Sequence, residues 1–138
     1  MCVSPENLAT VQDKIISEMA ALQGWDKKYA RLIELGKQHP VDSDVLHKDE
    51  HRIPGCLSDA WLIAEEREGR IHFQIDHEST ILRGVVVLML RVFNQRTPQE
   101  IKNTPARFLE ATGIMARFST TKANGLSTIL SRIKAFGS

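Results

Sequence analysis

With 138 residues, 42% of them hydrophobic and 25% charged, the chain is sized for a single domain (residues 1–138) around one core. Its 18 basic and 17 acidic residues leave a formal net charge of +1 with no basic stripe, which removes the electrostatic case for nucleic acid or an anionic membrane. Cys2 and Cys56 are the only cysteines, so no structural disulfide is expected and a reducing, cytoplasmic setting fits.

The opening "MCVSPENLAT" lacks a basic segment followed by an apolar run and does not read as a signal peptide. Ser4 and Pro5 suit an N-cap and first helical position, and Leu8, Val11, Ile15, Met19 and Leu22 follow at helical spacing up to Gly24. Trp25, Tyr29, Leu32 and Ile33 mark a second amphipathic helix, with Gly36 as its expected stop. "HPVDSD" reads as a loop. Residues 59–66 and 70–76 read as two strands joined by a turn at Glu68-Gly69, and Ile53 with its neighbours could add a short third strand. "ESTILRGVVVLMLRVF" is apolar around most of its circumference, as a buried central helix is. Its run "VVVLML" is far shorter than the roughly 20 residues of a membrane span. Thr97-Pro98 opens a short helix, Pro105 another, and residues 121–136 form the last, with Leu126, Ile129, Leu130 and Ile133 on one face. Helices, then a β-meander, then helices indicate an α+β domain.

Two chemistries compete in residues 47–61, "HKDEHRIPGCLSDAW". His47, Glu50 and His51 spell H-x-x-E-H, a zinc-peptidase spacing that needs both histidines one turn apart on a helix and a third ligand. Here the segment lies between a polar loop and Pro54, which leaves little room for a helix. His39, His72 and His77 fall in a loop, on a polar strand face and at a helix start, so none completes a site. The motif therefore reads as a solvated polar segment, with no metal. Cys56 asks for less: Gly55 allows a sharp turn that projects it from a loop, and Lys48, His51 and Arg52 nearby favour a thiolate. On spacing alone Cys56 could equally be a small buried hydrophobe.

"IPGCLSDAW" resembles the cysteine segment of the SufE family, in Gly55, Cys56, Ser58 and Trp61. "WDKKYARLIELG" resembles the family's upstream helix, and Asp76, Glu78, Ile81, Arg83 and Gly84 resemble its acidic helix start and [KR]-G pair. "TPQEI" and "NGL" fit as well, in the family's order. Four positions depart from the pattern. Lys122 stands where Arg is usual, Leu57 where Gln is common, and His77 where Ser is usual, while Asp59 adds a negative charge next to Ser58.

The resemblance implies a three-stranded antiparallel sheet packed against several helices, similar to the IscU and NifU scaffolds. It implies a sulfur acceptor and activator for a pyridoxal-phosphate cysteine desulfurase of the SufS or CsdA kind, with Cys56 receiving persulfide sulfur for iron–sulfur cluster assembly on a SufBCD-like scaffold. Such a protein is a sulfur-transfer accessory more than a stand-alone enzyme and binds no cofactor itself. Gly55, Ser58, Trp61 and Lys122 would support the cysteine: Gly55 as pivot, Ser58 on the loop backbone, Trp61 beneath it, Lys122 as a nearby cation. Apolar Ile53, Leu57 and Trp61 suggest that Cys56 rests turned inward until a partner docks. A regulatory module that stimulates a desulfurase without carrying sulfur, delivery to another pathway as in the CsdE branch, and a thiol hydrolase stay open as alternatives.

Overall fold

In a computed structural model, residues 7–54 and 59–137 are described, and seven α-helices and a two-stranded antiparallel sheet are found among them. Helix α1 (Leu8–Ala20) starts where Asn7 accepts a hydrogen bond from the Thr10 amide, and it buries Leu8, Val11, Ile15 and Met19. The expected start at Ser4-Pro5 lies outside the described residues. Helix α2 (Trp25–Gln38) buries Leu32, while Trp25 is half-buried against the core and Ile33 faces solvent. A single turn, α3 (Ser43–Leu46), and a 3₁₀ turn at Asp49–His51 follow.

Strands β1 (Ala60–Arg67) and β2 (Arg70–His77) pair along their whole length. Glu68 and Gly69 between them have φ of 53° and 78°, the left-handed pair that a two-residue hairpin turn requires. Ala60, Leu62, Ile71, Phe73, Ile75 and His77 share the buried face. Beneath it runs α4 (Thr80–Phe93), with eight buried residues, as its nearly continuous apolar surface predicts. Two short helices, α5 (Pro98–Asn103) and α6 (Arg107–Ala111), and the longer α7 (Thr120–Lys134) complete the domain. Thr97 and Glu100 form a reciprocal capping box on α5. The Lys134 ammonium caps the C-terminal end of α5, donating to the Ile101 and Thr104 carbonyls at 2.5 and 2.6 Å.

Two expectations are corrected. The third strand reduces to one bridge, Arg52 with Trp61, and one bond from the Ile53 amide to the Ala60 carbonyl at 2.8 Å. The 3₁₀ turn ends at His51 and Pro54 has no N–H, so only Arg52 and Ile53 can pair. Gly36 does not stop α2, which continues to Gln38. It lies inside the helix because α2 and α4 cross backbone to backbone there. A Cβ on Gly36 would fall 2.0 Å from the Thr80 carbonyl oxygen, and one on Gly84 would fall 2.0 Å from that of Leu32. Both obstacles are main chain, so neither can step aside. Gly84→Ala should therefore lower stability by about 3 kcal/mol or more in urea unfolding. A loss under about 0.5 kcal/mol, as surface changes give, would mean the helices are not in contact at this point.

Candidate functional site: the platform beneath the Cys56 loop

Cys56, with Gly55, Leu57 and Ser58, lies outside the described residues, as does Cys2, and the expected inward resting position of Cys56 lies there too. What is described is the base from which the loop springs. Two rows cross it. Arg52, Trp61 and Asp76 form one, and Ile53, Ala60 and His77 the other, because the Arg52–Trp61 bridge extends the β1–β2 register outward by one chain. Beyond them the Glu78 amide donates to the Asp59 carbonyl at 2.9 Å, and the Asp59 amide donates to Glu78 Oε1 at 3.1 Å. Arg52 and Asp59 are also joined directly, guanidinium to carboxylate, across the two ends of the loop. The negative charge that Asp59 brings beside the cysteine segment is thus paired with a cation. Both side chains are about half exposed, so the pair is worth little in stability and acts mainly on local charge.

The first row is held by a buried carboxylate. Asp76 is 3% exposed. Its Oδ1 lies 2.7 Å from Arg83 Nε and accepts from the His77 amide at 2.8 Å, and its Oδ2 lies 2.5 Å from His47 Nε2. Arg83 donates further to the His77 carbonyl at 3.0 Å and to the Gly36 carbonyl at 3.3 Å. The His47 ring stacks on Trp61, with centroids 3.8 Å apart and planes 16° from parallel. Trp61 therefore packs against His47 on the face away from the core.

The second row ends in His77, 1% exposed and at the end of β2, where a helix start was expected. Its Nδ1 accepts from the Ser79 amide at 2.9 Å, which places the ring proton on Nε2. Burial pushes its pKa below the ordinary histidine value, against smaller opposing effects of Glu78 and Asp76.

The H-x-x-E-H pattern is split by the fold. His47 is the C-cap of α3 and His51 lies in the separate 3₁₀ turn, so the two do not share a helix face. Among the described residues no group of three or more His, Cys, Asp or Glu side chains could hold a metal ion. Lys122 is exposed in the first turn of α7, where its amide donates to Ser119 Oγ at 3.3 Å. No contact among the described residues brings its side chain to the platform. The Asp76–His47 pair and the buried state of His77 escaped sequence reasoning. The one available signal was that His77 replaces a serine at the end of an alternating strand.

The family model described as SufE, Fe-S metabolism associated domain, matches residues 13–136. The chain belongs to the SufE family. An uncharacterized SufE-like protein of Rhizobium meliloti is 30% identical over 131 residues, covering 91% of this chain and 94% of that one. The solution structure of a hypothetical protein from Thermus thermophilus superposes with a TM-score of 0.70 over 97% of this chain and 95% of that one. At 15% identity that likeness establishes the shared α+β fold alone. The SufE assignment places the chain in iron–sulfur metabolism. No helix among the described residues is long and apolar enough to cross a membrane.

The platform can be tested at both rows. Asp76→Asn removes the charge that balances Arg83 while leaving the guanidinium its two carbonyl partners. It should cost about 2–3 kcal/mol in urea unfolding, and a neutral result would show the carboxylate to be dispensable. For His77 the sign is set by linkage. The unfolded chain takes up a proton as pH falls through the ordinary value of about 6.5, while the native state resists it. Stability should thus fall as pH drops from about 7.5 to about 5.5. His77→Asn, which keeps an acceptor for the Ser79 amide, should lose less over that range. Parallel curves for the two proteins would remove His77 as the source.

Proposed function

We propose that this chain accepts sulfur on Cys56 from a pyridoxal-phosphate cysteine desulfurase, stimulates that enzyme, and passes the sulfur on for iron–sulfur cluster assembly. The observation that carries the reading is the platform itself. The short segment holding the Gly55-Cys56 pair springs from two ends fastened to each other, to β1 at Ala60 and to Glu78, which lies between β2 and α4. Membership of the SufE family supplies the chemical context.

The reaction is a thiol–disulfide exchange in which the Cys56 thiolate attacks the outer sulfur of a persulfide on the partner. The sulfur–sulfur bond in the partner breaks, its cysteine leaves as a thiolate, and a new sulfur–sulfur bond forms on Cys56. No electron donor is required, and the pyridoxal phosphate stays with the desulfurase. An unperturbed thiol with a pKa near about 8.5 is only a few per cent ionised at neutral pH, so thiolate fraction and access limit the rate. Arg52 pairs with Asp59 and so keeps an uncompensated anion from opposing ionisation. Gly55 serves as the pivot, and delivery runs to a SufBCD-like scaffold. Ser58 supports the loop backbone, and Lys122, if it approaches Cys56 at all, contributes charge only.

The test uses the desulfurase with free cysteine as substrate and a dithiol reductant to discharge the persulfide, read as alanine released with each variant added. Cys56→Ser should return turnover to the rate of the desulfurase alone, and Cys2→Ser should stimulate as the native chain does. Stimulation retained by Cys56→Ser would overturn sulfur acceptance in favour of a regulatory module that only binds.

A further inference from the structure

His47 was singled out by a zinc-peptidase spacing that the fold then dismantles, and it is left with two contacts that need another explanation. We propose that His47 is a positioning residue for the sulfur-accepting loop, holding Trp61, and through it both ends of the loop, against the Asp76–Arg83 pair. The inference rests on Cys56 being the acceptor.

Three observations carry it. First, the His47 contacts are specific in both direction and plane. Its Nε2 meets Asp76 at 2.5 Å, which fixes the ring's rotation, and the ring then lies flat on Trp61 at 3.8 Å. Second, Trp61 is the β1 residue whose backbone is bridged to Arg52, so its position is tied to the Arg52–Ile53 stretch that leads into the loop. Asp76, opposite Trp61 on β2, completes the row. A ring pinned above Trp61 and bonded to Asp76 therefore spans the two β strands at the point where the loop begins and ends. Third, His47 contributes little to the core. Its side chain is 33% exposed, it caps a helix of a single turn, and Asp76 keeps Arg83 and the His77 amide if the imidazole is removed. Loss of His47, whose ring is one-third exposed, should let water replace it at Asp76 Oδ2 while Oδ1 keeps Arg83 and the His77 amide. The platform should then loosen at a smaller cost than loss of Asp76. That separates it from Asp76, whose replacement would disturb the fold itself.

The two contacts make separable claims. His47→Phe keeps a ring to stack and loses the bond to Asp76. His47→Gln keeps a polar group that can reach Asp76 and loses the ring. If the ring holds Trp61, phenylalanine rescues more than glutamine does. His47→Ala removes both.

The experiment uses the full-length chain carrying Cys2→Ser, so that Cys56 is the only thiol. Backbone hydrogen exchange is followed at the Ile53 amide, bonded to the Ala60 carbonyl, and at the Glu78 amide, bonded to the Asp59 carbonyl. The Ile71 amide, bonded to the Arg96 carbonyl at the far end of the sheet, is the internal control. Persulfide formation on Cys56 is measured in parallel against desulfurase concentration. Expected for His47→Ala is exchange about threefold to tenfold faster at Ile53 and Glu78, with Ile71 unchanged and the urea midpoint lowered by less than Asp76→Asn lowers it. The maximal transfer rate should fall by a similar factor while the half-saturating desulfurase concentration stays within about twofold. His47→Phe should recover most of both losses. The proposal is overturned if His47→Ala exchanges and transfers as the parent does, if all three amides accelerate together, or if glutamine rescues and phenylalanine does not. Absence of persulfide on Cys56 in the parent would instead overturn the acceptor reading, and the exchange measurements would still decide whether His47 holds the loop ends.

Discussion

The carboxylate of Asp76 is the point on which this structure turns. It is almost fully removed from water, and a buried anion persists only where partners replace its hydration. Arg83 comes from the first turns of α4, His47 from the end of α3, and the His77 amide from the carboxylate's own strand. Arg83 in turn reaches the Gly36 carbonyl in the last turns of α2. One side chain thus ties α2, α3, α4 and β2 together beside the loop that carries Cys56. That arrangement depends on the close crossing of α2 and α4, where Gly36 and Gly84 let the two backbones meet. Any side chain at either glycine would push α2 away and take the Gly36 carbonyl out of Arg83's reach.

A loop that delivers a reactive sulfur to another protein has to be accessible, yet its position must be reproducible for direct sulfur-to-sulfur contact. Ends held in place on either side of the cysteine segment favour that reproducibility. Here the ends are fastened three ways, by the backbone pairing of Ile53 with Ala60, the Arg52–Asp59 ion pair, and the reciprocal bonds of Asp59 and Glu78. None of these is strong alone, since two involve half-exposed groups. Their combined effect is geometric. They fix Ile53 and Asp59 relative to each other while leaving the fold's stability to the helices and the sheet beneath.

Much of this fold is legible in the residues. The Glu68-Gly69 turn, the alternation of Ile71, Phe73 and Ile75, the apolar circumference of α4 and the Thr97-Pro98 helix opening are local signals, and each element formed where its signal placed it. Features created by distant contacts were harder to read. Gly36 carries the local mark of a helix stop, and only the approach of Thr80, far along the chain, explains why the helix continues through it. The third strand failed because a 3₁₀ turn and a proline leave just two residues free to pair. His47 carried a metal-like spacing, but its ring is claimed by Trp61 and Asp76, neither of which any local pattern links to it. At the candidate site, the segment resemblance pointed to the right family. The partners that hold the loop ends, Asp76, Glu78 and His47, became assignable only when the strands were in register.

Sulfur acceptance requires that a specific thiol gain a sulfur atom from a partner's persulfide. The most direct measurement is mass spectrometry of the native chain after brief incubation with a cysteine desulfurase and free cysteine, with peptides mapped before any reductant is added. Sulfur carriage on this platform predicts a gain of one sulfur atom on the peptide containing Cys56, removed by reductant and requiring free cysteine. A gain confined to the peptide containing Cys2, or none on either while the desulfurase turns over, would contradict it.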